Sequence, residues 1–354
     1  MEFKIITDEQ GLLAERKEWT GIYHSMKHAT PFQSWEWNYA WWKNNEPADS
    51  LYIIKAYVAN TTYAYAPLVV KRNNAEFIGG RDMDYGRFLV CYKEIEVIKG
   101  FISTLLEKGF TITLQEMASQ DEQLHIILKI LEDQKNVIIH RTTRTVFIDA
   151  AKYGDYASYS RCLSKNMRDK IKKGLRNAEK NGIAITKEDV TSQNLQEIED
   201  IYQSRQLIRG GAPDITWSFP VMKAMQEAGL LRLYMVRDEE TAIAFMTVLK
   251  GKNGYFTWLM AFREGTENSG SGQLLNYQVI VDNFADGFPR LDFMRGDYDF
   301  KLRWECELDT NYTVYKLNSR TEFLGKKIYF WLRKIAKRFV YNHSTLKGIY
   351  KKYA

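Results

Sequence analysis

One pattern occurs twice in the chain, at an offset of about half its 354 residues. Two apolar runs joined by a short polar turn, the pattern of a β-hairpin, cover residues 51–70 and recur at 230–249. Farther along, each copy has a helical run that ends at a glycine, Gly109 or Gly287, and a strand-like segment follows. Two features repeated at one offset predict a duplicated α/β unit. Chance similarity between ordinary hairpins is the alternative explanation.

The two copies differ before their last helical run, and the difference suggests where a ligand binds. In the C-terminal copy, a strand pattern at 254–260 leads through a Gly/Ser-rich loop, 266–273, into a helical run at 274–285. Free backbone N–H groups and the helix dipole make such a loop an anion site, and small residues let a phosphate approach the backbone. The loop matches neither a P-loop nor a dinucleotide fingerprint, and an ordinary flexible loop is the alternative.

A cluster of charged residues follows the next strand. The segment 291–301 contains Asp-x-x-Arg-Gly-Asp with a lysine nearby, at the end of a strand, where α/β proteins commonly place their sites. Asp292 and Asp297 have the chemistry to orient or deprotonate an acceptor, while Arg295 and Lys301 have the charge to hold an anion. A structural network of salt bridges around a glycine turn is the alternative.

The N-terminal region is predicted to be helical and rich in buried aromatic rings. Asp8 is placed to cap a first helix near 8–25, and a second helix follows through the aromatic cluster at 32–42. Core packing is the favoured interpretation of these rings, ahead of stacking on a ligand.

The formal charge of +6 is concentrated in two basic segments. Residues 321–354 have nine Lys and Arg against one acid, and residues 161–180 have eight against two. A protein without one broadly basic face is not expected to bind DNA, and the two segments predict local anion contacts instead.

Two pairs of basic residues are candidates for substrate binding. Lys165 and Arg168 begin a predicted helix that Ser164 is placed to cap, and we expect both near a phosphate. Arg205 and Arg209 precede a Gly-rich segment and are candidates for an acceptor pocket or lid. A structural turn explains the second pair equally well.

The C-terminal segment predicts an amphipathic helix. Its apolar residues recur at three- and four-residue steps, at Leu324, Ile328, Trp331, Ile335 and Phe339. Lysines and arginines occupy much of the remaining surface. Such a helix is suited to the interface of an anionic membrane, and packing of the stripe onto the rest of the protein is the alternative.

Other chemistries have little support in the sequence. The three cysteines lie far apart, which is typical of a protein from a reducing cytosol, and the five histidines form no metalloprotease motif. No metal cofactor is therefore expected. The N-terminus lacks the order of a signal peptide, and no apolar stretch approaches the ~20 residues of a membrane span.

The segment 269–304 resembles the C-terminal signature of the cellulose-biosynthesis-type acetyltransferases. This family belongs to the GNAT superfamily of acyl-CoA-dependent N-acyltransferases. The residues that carry the resemblance are Gly272, Leu274, Leu275, Gly287, Leu291, Asp292, Phe293, Arg295, Gly296, Asp297 and Lys301. Similar stretches upstream lie at 32–36, 66–69, 164–168 and 209–211, so the resemblance covers about residues 30–317.

The resemblance implies an α/β fold of two tandem GNAT-like units, each with a mixed sheet and flanking helices, plus a C-terminal amphipathic helix. We expect a degenerate unit at 1–150, a catalytic unit at 151–320 and the helix at 321–354. The Fem-type aminoacyltransferases, which take their acyl group from aminoacyl-tRNA, have the same tandem arrangement.

The resemblance also implies the binding site for the donor, acetyl-CoA or another acyl-CoA. The strand before the loop would hold the pantetheine at Trp258, Leu259 and Met260. The loop amides would hold the pyrophosphate at Ser269, Gly270, Ser271, Gly272 and Gln273. Asp292 is the first candidate for the base or the acceptor-orienting group, ahead of Arg295 and Asp297, and Lys301 would contact an anionic part of a substrate.

We therefore expect an N-acyltransferase that moves an acyl group from CoA to an amine. The acceptor would be an amino sugar or a cell-surface polysaccharide precursor, as a small molecule or a lipid-linked sugar. One alternative is a Fem-like transferase with tRNA as partner, and another is a non-catalytic scaffold of envelope-polymer assembly. We expect a cytoplasmic protein that associates peripherally with the inner face of the cell membrane.

Overall fold

The computed structural model describes residues 1–209, 214–266 and 270–342, with side chains at all of these except 81, 205–209 and 337–342. Thirteen strands form one sheet in this part of the chain. The strands are β1 (Glu2–Ile6), β2 (Leu51–Val58), β3 (Thr61–Lys71), β4 (Asn74–Phe77), β5 (Leu89–Val90), β6 (Thr111–Ala118), β7 (Val137–Asp149), β8 (Ile183–Glu188), β9 (Leu231–Asp238), β10 (Thr241–Gly251), β11 (Gly254–Phe262), β12 (Arg290–Arg295) and β13 (Glu307–Lys316). Their order is β1-β2-β3-β4-β6-β13-β7-β12-β11-β10-β9-β8, and β5 pairs with β3.

Helices cover the faces of the sheet. They are α1 (Glu9–Ala14), α2 (Arg16–Ser25), α3 (Trp35–Asn45), α4 (Glu94–Glu107), α5 (Glu122–Ile130), α6 (Tyr156–Cys162), α7 (Lys165–Lys180), α8 (Ser192–Arg209), α9 (Phe219–Glu227), α10 (Ser271–Ala285), α11 (Asp299–Leu302) and α12 (Arg320–Asn342). The caps follow the sequence, because the Asp8 side chain accepts from Gly11 N and that of Ser164 from Met167 N.

The predicted duplication is confirmed by the fold. The hairpin β2–β3 has its counterpart in β9–β10, and α4 followed by β6 has its counterpart in α10 followed by β12. In each copy the strand after the hairpin then pairs in parallel with the strand that follows the helix. This pairing covers three residue pairs in both, from Asn74 with Thr111 and from Gly254 with Arg290. The chain is thus a tandem of two GNAT-like α/β units.

The two units exchange their last strands. β13, from the C-terminal half of the chain, pairs with β6, while β7, from the N-terminal half, pairs with β12. β7 and β13 also pair with each other, from Glu307 with Phe147 to Lys316 with Val137. The predicted boundary between residues 150 and 151 therefore lies between the two copies of the sequence pattern. It does not divide the sheet, because each half of the sheet contains a strand from the other copy.

Aromatic side chains fill the core between the two units. Trp37 and Trp42 of α3 are buried, as core packing of the aromatic cluster predicts. The helix α3 packs against α9, so that an N-terminal helix lies on the C-terminal unit. A second apolar core, with Tyr234 and Leu275, lies in the C-terminal unit. The site described below is formed where the two units meet.

Candidate active site

Strands β11 and β12 separate at the centre of the C-terminal unit. They pair only from Gly254 with Arg290 to Phe256 with Asp292, within the described part of the chain. Beyond these pairs β11 continues to Phe262 along β10. Its edge toward β12 is therefore open, which leaves backbone N–H and C=O groups available to a ligand in the gap.

The residues predicted to hold the pantetheine lie along this open stretch. Trp258, Leu259 and Met260 are each half-buried on β11. The Trp258 ring lies between two other indoles, with centroids 5.1 Å from Trp37 and 5.9 Å from Trp217. Since Trp37 belongs to α3, the N-terminal unit contributes one wall of this region.

The helix α10 begins next to this strand, and its first turn is open. Gly270 is the N-cap with a φ of 73°, in the left-handed region that favours glycine. A Cβ added at Gly270 or at Gly272 would have no other atom within 4 Å. Gln273 N already donates to Gly270 O at 2.9 Å, so the turn would attract an anion mainly through the positive end of the helix dipole. Ser271 and Gln273 lie in the same turn, whereas Ser269 lies outside the described residues.

A basic helix lies beside this turn. Ile171 and Gly174 of α7 line one depression together with Gly270 and Gln273. Most of the lysines and arginines of α7 have exposed side chains. These exposed bases are Lys165, Lys170, Lys172, Lys173, Arg176 and Lys180. The part of α7 that lines this depression is uncharged, and the exposed bases Lys170 and Lys173 are the sequence neighbours of Ile171 and Gly174.

The predicted substrate-binding residues do not all face this turn. Arg168 donates to the backbone oxygens of Arg161, at 3.0 Å, and of Leu163, so its guanidinium holds the segment that precedes α7. Lys165 is exposed at the start of the helix. The side chains of Arg205 and Arg209 lie outside the described part of the structure, and their predicted role stays a prediction.

Asp292 lies at the junction of the two units and is fully buried. Its Oδ2 accepts from Tyr85 Oη at 2.8 Å and from Arg290 Nε and Nη2 at 2.9 and 2.6 Å. Its Oδ1 accepts from the backbone N–H of Met294 at 2.7 Å. Both carboxylate oxygens are engaged, so this geometry suits the orienting role predicted for Asp292 better than that of a mobile base.

Arg295 forms a second pair of the same kind with a buried acid from the N-terminal unit. Its Nε lies 2.7 Å from Asp84 Oδ1, and its backbone N–H donates to Asp84 Oδ2 at 3.1 Å. Burial raises the pKa of the Asp84 carboxyl to about 6, although the charge of Arg295 acts in the opposite direction. About a third of the Arg295 side chain is exposed. The guanidinium, rather than the carboxylate, is the group that a ligand would contact.

Lys301 is directed at the backbone. Its Nζ donates to the carbonyl oxygens of Phe293 at 2.6 Å and of Arg295 at 2.7 Å. Burial lowers the pKa of this ammonium group to about 8. In this arrangement the side chain fixes the end of β12, and its predicted contact with a substrate anion stays a prediction.

An exposed aromatic pair lies at the end of β12. Asp297 forms an exposed ion pair with Arg144, at 3.1 Å. The rings of Tyr298 and Phe300 follow, nearly parallel at 7° with centroids 5.9 Å apart, and both are exposed. A Cβ at Gly296 would lie 2.3 Å from the Tyr298 ring, so glycine is required for the ring to take this position.

Three members of the site were missed by the sequence analysis. Asp84 and Tyr85 come from the N-terminal unit, and their distance of more than 200 residues from Asp292 and Arg295 leaves no local signal. Arg290 had a signal, because residues two apart on a strand share one face, and Arg290 stands two before Asp292. In the ranges 1–209, 214–266 and 270–342, no three His, Cys, Asp or Glu residues are grouped so that they could hold a metal ion.

Comparison with known proteins agrees with the geometry. A family model described as the acetyltransferase (GNAT) domain matches residues 165–302, which include α7, β11, α10 and β12. No protein among the curated sequences matches this one.

Solved structures share the fold over most of the chain. FemX has 14% identity and a TM-score of 0.63, covering 90% of this chain and 98% of FemX. L-PGS from Bacillus licheniformis has 11% identity and a TM-score of 0.56, with 90% and 95% covered. A conserved protein of unknown function from Bacteroides thetaiotaomicron has 11% identity and a TM-score of 0.57, with 90% and 100% covered. These similarities establish the tandem fold.

Proposed function

Since the chain is a GNAT-fold acyltransferase, related to the cellulose-biosynthesis-type acetyltransferases, we propose that it transfers an acyl group from a CoA thioester to an amine. The observation that carries this proposal is the gap between β11 and β12, with the open first turn of α10 beside it. One end of the site offers a strand edge to an extended chain, and the other offers the positive end of a helix dipole to a phosphate.

The residues present suit such a donor. The open edge of β11 would pair with the amide groups of a pantetheine through the backbone at Trp258 and Met260. Leu259, the third predicted residue, has its backbone N–H on Thr247 Oγ1 of β10 at 3.1 Å. The first turn of α10, from Gly270 to Gln273, would hold the pyrophosphate, and the exposed lysines of α7 would add positive charge. This assignment uses the C-terminal unit, in which the Gly/Ser loop directly precedes a helix.

The reaction needs only modest help from side chains. The amine nitrogen bonds to the acyl carbon, the carbon–sulfur bond breaks, and the amine proton balances the charge of the departing thiolate. Backbone N–H groups at the open edge of β11 would polarise the thioester carbonyl. Asp292 and Asp84 would act by holding Arg290 and Arg295 in place, so that two partly exposed guanidiniums meet the acceptor.

The acceptor we propose is an amino sugar or a sugar precursor of a surface polysaccharide. Tyr298 and Phe300 support this choice, because their exposed rings at the end of β12 offer a flat surface for the apolar face of a sugar. The ion pair of Arg144 and Asp297 next to them offers hydrogen-bond partners for hydroxyl groups.

A second candidate donor is an aminoacyl-tRNA. The exposed bases of α7 favour it, because a helix with this many lysines suits the phosphates of a nucleic acid. The same positive surface suits CoA phosphates, so charge alone does not separate the two donors.

Thermal-shift measurements with acetyl-CoA, longer acyl-CoAs and aminoacyl-tRNA would separate the candidates. We expect an acyl-CoA to raise the melting temperature, and release of free CoA thiol when an amino sugar is added. Stabilisation by aminoacyl-tRNA alone would replace the proposal with the second candidate. No response to any donor would leave the scaffold hypothesis and overturn the enzymatic one.

A further inference from the structure

The helix α12 has two opposite faces, and among its described side chains, 320–336, only those of one face contact the rest of the protein. Phe323, Lys326 and Phe330 are half-buried, whereas the other described side chains of the helix are exposed. These three residues recur at three- and four-residue steps, so they lie on one side of the helix.

The contacting face is anchored on the strands that the two units exchange. The Phe330 ring stacks on His140 of β7, with centroids 3.8 Å apart and an interplanar angle of 9°. Lys326 Nζ lies 4.3 Å from the centroid of Tyr315 on β13. The helix is thereby fixed along the central strands.

The opposite face is apolar and exposed. Ile328, Trp331 and Leu332 have 55%, 61% and 53% of their surface exposed, and Leu324 and Ile335 are exposed on the same side. The predicted apolar stripe therefore does not pack onto the rest of the protein at its described positions. Phe339 lies outside the described side chains. A contiguous apolar patch of this kind marks an interaction surface.

The flanks of the stripe are basic. The described side chains of α12 include five Lys and Arg against one Glu. Arg320, Lys327, Arg333 and Lys334 are exposed, whereas Lys326 lies on the contacting face over Tyr315. No helix within the described ranges is long and apolar enough to cross a membrane.

We propose that α12 docks the protein on an anionic lipid bilayer, with the axis of the helix in the plane of the interface. The stripe would enter the boundary between headgroups and acyl chains, with Trp331 at the depth that indole rings favour. The lysines and arginines would reach the lipid phosphates along both flanks. This inference does not depend on the acyl-transfer reaction.

Charge favours a bilayer over a second copy of the chain as the occupant. A two-fold dimer through the stripe would place two helices of the same positive charge side by side, and like charges in contact oppose association. An anionic surface turns the same charges into an attraction that grows with each basic residue.

Co-sedimentation of the full chain with vesicles would test the proposal. The vesicles would contain phosphatidylglycerol in phosphatidylcholine, or phosphatidylcholine alone, at low and high salt. The test variant combines Ile328→Ser with Trp331→Ser, and the matched control is Ile95→Ser, an exposed isoleucine on α4. Circular dichroism and sedimentation velocity would check folding and oligomeric state.

We expect the wild-type chain to bind the anionic vesicles at low salt. The stripe variant should partition onto them about tenfold more weakly, and Ile95→Ser should bind as the wild type does. Neutralising Arg333 and Lys334 to Gln should weaken binding by about 25-fold, at roughly fivefold for each charge. Equal binding to neutral vesicles, or a stripe-dependent dimer that ignores vesicles, would overturn the proposal. Acyl-CoA protection, measured separately, should be the same in all variants.

Discussion

Tyr85 donates a hydrogen bond of 2.8 Å from its hydroxyl to the Asp292 carboxylate, and the two residues are 207 positions apart. This bond joins a loop of the N-terminal unit to the strand β12 at the centre of the C-terminal unit. The N-terminal unit therefore contributes directly to the candidate site, in addition to packing against it.

Asp292→Asn should lower both stability and turnover. The substitution leaves the Arg290 guanidinium without its charged partner, and we expect a loss of roughly 1–3 kcal/mol in the free energy of unfolding. Turnover should fall by about 10²-fold, because Arg290 would no longer be held where we propose that it meets the acceptor. Urea unfolding and steady-state kinetics would measure the two effects. Tyr85→Phe, which keeps the carboxylate, is the control and should lose about 1 kcal/mol.

Gly272→Val should abolish protection by acyl-CoA without unfolding the chain. The added side chain would point into open space, so the fold should tolerate it, but it would stand in the turn where we propose the phosphates bind. Gly21→Val is a matched control, because a Cβ at this helical glycine of α2 also meets no atom within 4 Å. Thermal shift with and without acyl-CoA would decide, and protection of Gly272→Val equal to that of the control would contradict the donor assignment.

Acidification below about pH 6 should lower kcat/KM. As the pH falls through the raised pKa of Asp84, the carboxyl takes up a proton and its ion pair with Arg295 is lost. The pH–rate profile should therefore have an acid limb near 6, and Asp84→Asn should remove that limb at a lower overall rate. Asp292 and Glu116, which also raise this pKa, lie near the same carboxyl. If the acid limb is unchanged in Asp84→Asn, a group other than Asp84 is responsible for it.

The raised pKa of Asp84 also affects stability. Acid pH should lower kcat/KM, but it should increase the contribution of Asp84 to the free energy of unfolding. Because the folded chain binds this proton more tightly than the unfolded chain does, the contribution of Asp84 to stability is greatest below its ordinary pKa of 3.8. It declines as the pH rises to about 6. Thermal unfolding of wild type and Asp84→Asn between pH 4 and 7 would measure the difference.

Tyr298→Ala should raise KM for a sugar acceptor and leave acyl-CoA binding unchanged. The ring is exposed at the end of β12 and supports no buried core, so its removal should not affect folding. Loss of one stacking ring should raise KM by about tenfold. Tyr92→Ala, which removes another exposed tyrosine, is the matched control. Equal KM values in the two variants would show that the aromatic pair does not bind the acceptor.

Local features of the fold could be predicted from the sequence, because caps and hairpins depend on neighbouring residues. The helix after Ser164 is an example, since α7 runs to Lys180 as its cap and end signals indicate. The first helix is less regular than its pattern suggests and divides at Glu15. The backbone tightens there, because Glu15 N donates to Leu12 O at 3.1 Å, three residues back instead of four. The Glu15 carboxylate turns into the protein and accepts from Lys55 Nζ and Tyr65 Oη at 2.6 and 2.5 Å.

Partners between units could not be predicted in the same way. Asp292 and Arg295 could be placed at one strand end from their own segment, but no local pattern indicates that Asp84 or Tyr85 lies beside them. No strand was predicted at β7 or β13, and hydrophobic periodicity carries no information about which strand a given strand will pair with. Pairing of this kind depends on the packing of the whole chain.

The exchange of β7 and β13 limits how this protein can move and suggests how it arose. Two units joined by a flexible tether could swing apart to admit a substrate, but each of these sheet halves is hydrogen-bonded to a strand of the other. Substrates must therefore reach the gap between β11 and β12 through movements of loops and side chains. If a single ancestral unit had exchanged its last strand with an identical neighbour, the product would have been an intertwined dimer. Joining the two copies in one gene would have made that assembly independent of protein concentration.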